Sequence, residues 1–363
     1  MTPIVTPPEE PVRRPGGARR WWYLLFVCGV VVLGGIASSI VEVPYYAISP
    51  GRPVSTTPLV VVVDGPSFEP DGEIFLTTVS LRRTTLLEAV TGWLDPTVDV
   101  VKQEVILPPG TPPSRLRETN LEAMDGSKQA ALGVAYEALG FDAIQGTGAT
   151  VAGVLEGSPV DGLLETGDTI VAVDDVLIEL SFEVSEALTE RVPGDTARLG
   201  VEGADGARRD IEVTLGTNPD VPGRPFLGVL LQTRDFRLEF PYDVNIDSDE
   251  IGGPSAGLAF TLEVLDRLTE GDLTGGLTIA ATGEMGLDGR IGSIGGAAQK
   301  AVAVERAGIA LFLVPTANLE QARREATDGL RIEPVDTLED ALRVLEEVGG
   351  DPLRGAGDDQ VAA

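Results

Sequence analysis

From Trp21 to Val41 the chain carries no charged residue, and this run constrains the architecture more than any other stretch. It is long enough for one helix to cross a bilayer, which takes about 20 apolar residues. Trp21, Trp22 and Tyr23 suit one membrane interface, and Tyr45 with Tyr46 suits the other. Arg13, Arg14, Arg19 and Arg20 precede the run. That bias places the N-terminus in the cytoplasm and the chain beyond about Pro44 on the far side of a cell membrane. The patch Ala37-Ser38-Ser39 also fits the cleavage site of a signal peptide. The length of the run and its aromatic flanks favour a retained single-pass anchor over residues 21–44. The Pro-rich residues 1–20 predict a disordered cytoplasmic tail.

The chemistry narrows by elimination. The chain has 363 residues and no histidine, so a Ser-His-Asp triad is impossible. The one cysteine, Cys28, lies inside the apolar run, which disfavours a thiol nucleophile and excludes an internal disulfide. A serine activated by a lysine is the remaining route to a reactive hydroxyl. Of 27 basic residues, only Lys102, Lys128 and Lys300 are lysines. Arginine does not deprotonate in proteins, whereas a desolvated lysine does. Metal chemistry lacks its usual ligands, and no cofactor is expected: no Gly-x4-Gly-Lys-Ser/Thr pattern occurs. The net charge of −30 argues against nucleic-acid partners and against any general affinity for anionic lipid.

Local patterns single out Ser255 and Lys300. With 296–307 as a helix, Lys300 shares its face with Gly296, Ala297, Ala303 and Val304. A lysine there either snorkels outward or is buried and loses proton affinity. From Phe236 to Ile246, apolar and polar residues alternate as in a half-buried strand. Gly252-Gly253-Pro254-Ser255 follows, then Leu258, Leu262 and Leu265 at helical spacing. Ser255 therefore lies where a strand gives way to a helix. It is either an ordinary N-cap or a nucleophile beside backbone N–H groups able to hold an oxyanion.

Elsewhere the pattern predicts strands at 59–63, 74–79, 277–281 and 309–314. Helices are predicted at 84–93, 120–139 and 338–348, and Asp288-Gly289 marks a hairpin. Lys128 reads as a solvated helix lysine. Residues 141–217 form a separate module: strand 149–155, turn Gly157-Ser158-Pro159, strand and turns through Gly167-Asp168-Thr169-Ile170, helix 181–191, then strands 197–202 and 209–215.

Three motifs then fall in order and in register. Gly253-Pro254-Ser255-Ala256-Gly257 resembles the nucleophile motif of Lon-type serine–lysine peptidases. Thr282-Gly283-Glu284 resembles the family's next signature, and Gly295-Gly296 with Lys300, 18 residues after Thr282, resembles its lysine motif. The resemblance covers about 226–348. It implies Ser255 as nucleophile and Lys300 as general base, with Gly253, Pro254, Thr282 and Glu284 in support. Gly252 stands where many Lon proteases carry an acid, although Asp249 and Glu250 are near.

The 141–217 module resembles the PDZ domains of bacterial envelope proteases, which capture an extended peptide at a sheet edge. Gly146-Thr147-Gly148-Ala149 is its expected carboxylate loop, or else a plain connection. Together these resemblances imply an α+β chain like the membrane-anchored PDZ–Lon-like proteases of Gram-positive bacteria. In that arrangement 45–140 and 218–348 form the peptidase domain, 141–217 is the PDZ domain inserted in it, and 349–363 is a disordered tail. The implied activity is an ATP-independent endopeptidase acting on unfolded or flexible proteins, compatible with a homo-oligomer. The competing class is a non-catalytic envelope scaffold that binds peptides through its PDZ domain.

Overall fold

A computed structural model describes residues 17–107, 110–219, 221–248, 251–327 and 329–354. Asp249, Glu250 and most of the expected terminal tails lie outside the described residues. The chain divides into two compact units. One combines residues up to Pro50 with Val79–Thr111, and the other combines Gly51–Thr78 with everything from Pro112 on.

In the first unit a helix, Gly17–Ile40, is followed by the strand Glu42–Pro50. That strand pairs antiparallel with Val79–Thr85 on one side and Asp99–Lys102 on the other. Thr85 and Glu88 form a capping box at the start of the helix Leu86–Leu94, and Tyr45 meets Trp93 edge-on at 5.8 Å. Two expectations need correction here. The first helix starts at Gly17, inside the segment expected to be disordered, because Ala18, Arg19 and Arg20 are good helix formers. Residues 45–140 are also not one continuous part of the peptidase domain. The run expected to be a single strand at 74–79 breaks after Leu76, and its two halves belong to different units.

The second unit is built on a five-stranded sheet. Its order is Val54–Ser55, Glu73–Leu76, Thr278–Ala281, Leu311–Pro315, Arg331–Val335, and the last four strands run parallel. Parallel sheets are covered on both faces, which explains the unbroken apolar run Leu311-Phe312-Leu313-Val314. Ile279, Ala281, Leu311 and Leu313 join the core shared with the helices Pro113–Ala138, Gly257–Leu268 and Leu338–Glu347. Ala280, Phe312 and Val314 point the other way, against Ala297, Ala301 and Val304 of the helix Ala297–Arg306. The layering of this unit is therefore mixed α/β around a mainly parallel sheet, and not the α+β arrangement expected.

The inserted module has its own core and an antiparallel sheet. Its order is Arg208–Thr214, Thr196–Glu202, Thr169–Val173, Ala149–Val154, Val229–Thr233. The last strand lies beyond the boundary expected at 217, so the module's sheet runs to Thr233. The alternating 236–246 segment is likewise not one strand. Arg237–Leu238 pairs with Ile144–Gln145, and Val244–Ile246 pairs with Val60–Val62. Pro241 lies between them and has no N–H to give a ladder. At the far end, Gly350 and Asp351 are tied by N–H bonds to Leu345 and Asp272 carbonyls, so the start of the expected tail is anchored.

Candidate active site

Ser255 lies in a single 3-10 turn, Pro254–Ala256, that runs into the helix Gly257–Leu268. Gly253 holds φ at 95°, a left-handed value that favours glycine. Its N–H donates to the Asn120 carbonyl at 2.7 Å, and Ser127 Oγ donates to the Pro254 carbonyl at 2.8 Å. Both partners belong to the helix Pro113–Ala138, so a neighbouring helix pins the turn from outside. Gly257 has no room for a side chain, because a Cβ there would come within 2.7 Å of the Met285 backbone nitrogen. No side-chain cap bond closes the start of the helix, so the N-cap alternative for Ser255 does not hold.

The Ser255 hydroxyl instead meets Lys300. Nζ lies 2.7 Å from Ser255 Oγ and 2.9 Å from Thr282 Oγ1. The Thr282 hydroxyl donates to the Ser255 carbonyl at 3.1 Å, and Gly283 N–H donates to the same carbonyl at 3.0 Å. Thr282 directly follows the central strand and is fully buried, with its own N–H bonded to the Leu313 carbonyl. Lys300 is 2% exposed, on the first turns of a helix whose N-terminal residue, Gly296, is left-handed with φ 69°. It does not snorkel. Burial alone lowers its pKa to about 7.

The proton inventory of this ring is consistent. Thr282 uses its proton on the Ser255 carbonyl, so its oxygen accepts from the amine. A neutral amine then has its lone pair left for the Ser255 proton. Near neutrality about half of such lysines carry no charge, the form a general base requires. Glu284 sits apart from the ring, exposed on the strand Glu284–Met285 of the hairpin. Lys128 is part-buried on its helix and ion-paired with Asp125 at 3.0 Å. Among the described residues no group of three or more His, Cys, Asp or Glu is placed to hold a metal.

Asn120 and Ser127 were not anticipated. The signal for Ser127 was present: it stands three, four and seven residues before Ala130, Ala131 and Val134, a polar residue on an apolar face.

The expected peptide loop is a correction. Thr147 N–H donates to the Arg234 carbonyl and Gly148 N–H to the Glu179 carbonyl, each at 2.9 Å. Gly146 packs closely against Thr233 and Glu179, and Ala149 is paired in the sheet with Thr233. These backbone donors are engaged inside the fold and are closed to a ligand. An open edge of the sheet lies elsewhere, along Val229–Thr233, which among the described residues pairs on one side only. A groove of about 530 Å³ runs there, between Phe226, Gly228 and Leu231 on one wall and, on the other, Val184 of the short helix Glu183–Ala187 and Leu188 just after it.

Residues 247–347 match the family described as the Lon protease (S16) C-terminal proteolytic domain. Lon protease of Buchnera aphidicola subsp. Schizaphis graminum is 37% identical over 98 residues, covering 26% of this chain and 12% of that protein. Lon protease 1 of Myxococcus xanthus is 36% identical over 129 residues, covering 32% and 16%. The chain thus spans less than a fifth of the length of these relatives. A crystal structure of the PDZ domain of an SdrC-like protein from Listeria monocytogenes is 22% identical, covering 23% of this chain and 87% of that one, with a TM-score of 0.22. The counterpart from Listeria innocua is 25% identical, covering 23% and 92%, with the same TM-score of 0.22. The match over 247–347 supports a serine peptidase.

Proposed function

We propose that the chain is a membrane-anchored serine endopeptidase in which Ser255 is the nucleophile and Lys300 its general base. The observation that carries this reading is the 2.7 Å approach of a buried lysine amine to the Ser255 hydroxyl. Neutral Lys300 takes the Ser255 proton as Oγ attacks a peptide carbonyl. Backbone N–H groups at the start of the Gly257–Leu268 helix steady the oxyanion. Lys300 then gives its proton to the leaving amine, and the acyl-enzyme remains on Ser255. Water, deprotonated by the same amine, releases the acid and restores the serine. Thr282 holds the amine in line throughout.

The helix Gly17–Ile40 includes a stretch apolar and long enough for a span, and it serves in this reading as a retained anchor with the peptidase outside the cytoplasm. In this reading substrates enter without an ATP-driven motor and are unfolded, flexible or short. The inserted module recruits them as a PDZ-like domain, through the edge of Val229–Thr233.

Hydrolysis of an unfolded, fluorescently quenched protein by the full chain tests the assignment. Ser255→Ala and Lys300→Arg are each expected to lower the rate at least about a thousandfold. Lys300→Arg keeps the positive charge but has no accessible neutral form. Full activity in Ser255→Ala would falsify the nucleophile. A serine-directed fluorophosphonate separates the enzyme from a silent scaffold: mass spectrometry locates the adduct on Ser255 in the first case and finds none in the second.

A further inference from the structure

We propose that Arg290, a residue of the peptidase hairpin, reads an acidic side chain in the peptide that occupies the groove of the inserted module. This rests on the recruitment reading above and goes beyond it by naming the ligand's chemistry and the residue that selects it.

The groove is composite. One wall is the edge strand Val229–Thr233 with its approach from Phe226, the other is the short helix with Val184 and Leu188, and Arg290 closes it from a different part of the chain. An unpaired strand edge offers main-chain donors and acceptors to one extended peptide. Gly228, on the approach, admits only glycine, because its φ is 75° and an added Cβ would come within 2.2 Å of Ser158 Cβ. Apolar walls accept an apolar side chain. Charge then decides what else is accepted. Acids outnumber bases 57 to 27 in the chain, yet the charged side chains lining the groove, Arg224 and Arg290, are both cations.

Arg224 belongs to the module, but Arg290 does not. It follows the turn at Asp288-Gly289, between the strands Glu284–Met285 and Ile291–Gly292. Its N–H donates to Asp288 Oδ1 at 3.1 Å, and its carbonyl accepts from Gly286 N–H at 2.8 Å, so the backbone is fixed. The hairpin is in turn wedged against the reaction site, because Met285 fills the space over Gly257. The groups already facing the guanidinium are Asp288, at 3.5 Å, and Glu186 of the short helix. Burial raises the Glu186 carboxyl, Asp288 and Glu183 raise it further, and Arg290 opposes them. A guanidinium has five N–H donors in a fork, and the 3.5 Å ion pair with Asp288 leaves donors for a carboxylate of the ligand.

The test uses the full chain in detergent micelles, carrying Ser255→Ala so that peptides stay intact. Fluorescence anisotropy follows three labelled peptides with the same apolar, free C-terminus and upstream glutamates, glutamines or lysines. The glutamate peptide is expected to bind about fivefold tighter than the glutamine one at low salt, with the gap closing as salt rises. Arg290→Glu is expected to invert the order, so that the lysine peptide binds best. Inversion is not something a merely loosened hairpin produces. If the order stays glutamate, glutamine, lysine with Glu at 290, Arg290 is not the selector and this inference fails while recruitment stands. If none of the three peptides binds, both readings fall.

Discussion

The two cores of the larger unit treat charge in opposite ways. In the inserted module the buried carboxylate, Asp168, is neutralised: Arg209 approaches it at 2.5 Å and Glu165 N–H donates to it at 3.0 Å. Its other ion pairs, such as Arg191–Asp174 and Arg198–Asp175, lie at the surface. The peptidase core instead buries titratable groups whose ionised forms are poorly met. Lys300 is shifted by burial alone, and Asp266 has a buried Oδ2 without a hydrogen-bond partner among the described residues. Burying an unpaired charge is expensive, and a protein normally avoids it. A core tuned only for stability looks like the module. For Lys300 the departure from that rule coincides with Ser255, where a neutral amine is useful.

Thr282→Val should break the contrast most sharply. It keeps the volume but removes the hydroxyl that receives the amine and bonds the Ser255 carbonyl. Peptidase kcat is expected to fall about 10- to 100-fold with little change in KM, since the loss lies in aligning the base. Thr282→Ser should recover most of the rate. A KM effect alone would show that Thr282 shapes substrate binding.

The next effect is in pH. Lys300 works only when neutral, and its pKa is lowered to about 7. Activity should therefore rise with pH through about 7 and level off above it, with about a tenth of the plateau remaining one unit below. A rate that kept rising toward pH 10 would mean an exposed amine, and the two cores would no longer differ.

Asp168→Asn should sharpen the comparison from the module's side. It leaves Arg209 without its partner and is expected to cost about 1–3 kcal/mol in denaturant unfolding of the module. Hydrolysis of short peptides that do not use the groove should be unchanged, because no part of the Ser255 ring is touched.

What could be read from the chain divides along the same line. The Ser255 site is encoded in short motifs whose residues stay within a few positions of one another: Gly253 to Gly257, Thr282 to Glu284, Gly295 to Lys300. Helical spacing around Lys300 and the strand-to-helix change before Ser255 were visible as periodicity. Whether the lysine snorkels was not, because that depends on Ser255 and Thr282 being brought to its amine from elsewhere in the chain. The groove could not be read at all. Its walls come from 184–189, 224–231 and 290, and its edge strand follows the module's apparent end by more than ten residues. The Gly146–Ala149 loop looked available because nothing in its own sequence shows that Arg234 and Glu179 occupy its backbone.

Asp266 supplies the finest discrimination. It accepts Leu273 N–H at 2.9 Å, and burial, with Asp272 and Glu263 adding repulsion, raises its pKa to about 7 against the bond from Leu273 and the charge of Arg267. The signs are opposite for Asp266 and Lys300. Between the ordinary carboxylate value near 4 and about 7, the folded state holds a proton on Asp266 that the unfolded chain has released, so stability falls as pH rises through that window. For Lys300 the unfolded chain holds the extra proton from about 7 up to its ordinary value near 10.5, so stability rises with pH there. Both penalties are therefore felt near pH 7, the Asp266 one in full above it and the Lys300 one in full below it. Asp266→Asn keeps an acceptor for Leu273 and removes the ionisation. It should be more stabilising at pH 8 than at pH 5 by roughly 2–3 kcal/mol, read from urea unfolding at both pH values. Equal effects at the two pH values would mean that Asp266 titrates as an ordinary acid, and the contrast between the two cores would then rest on Lys300 and on Glu263, whose buried carboxyl is also raised.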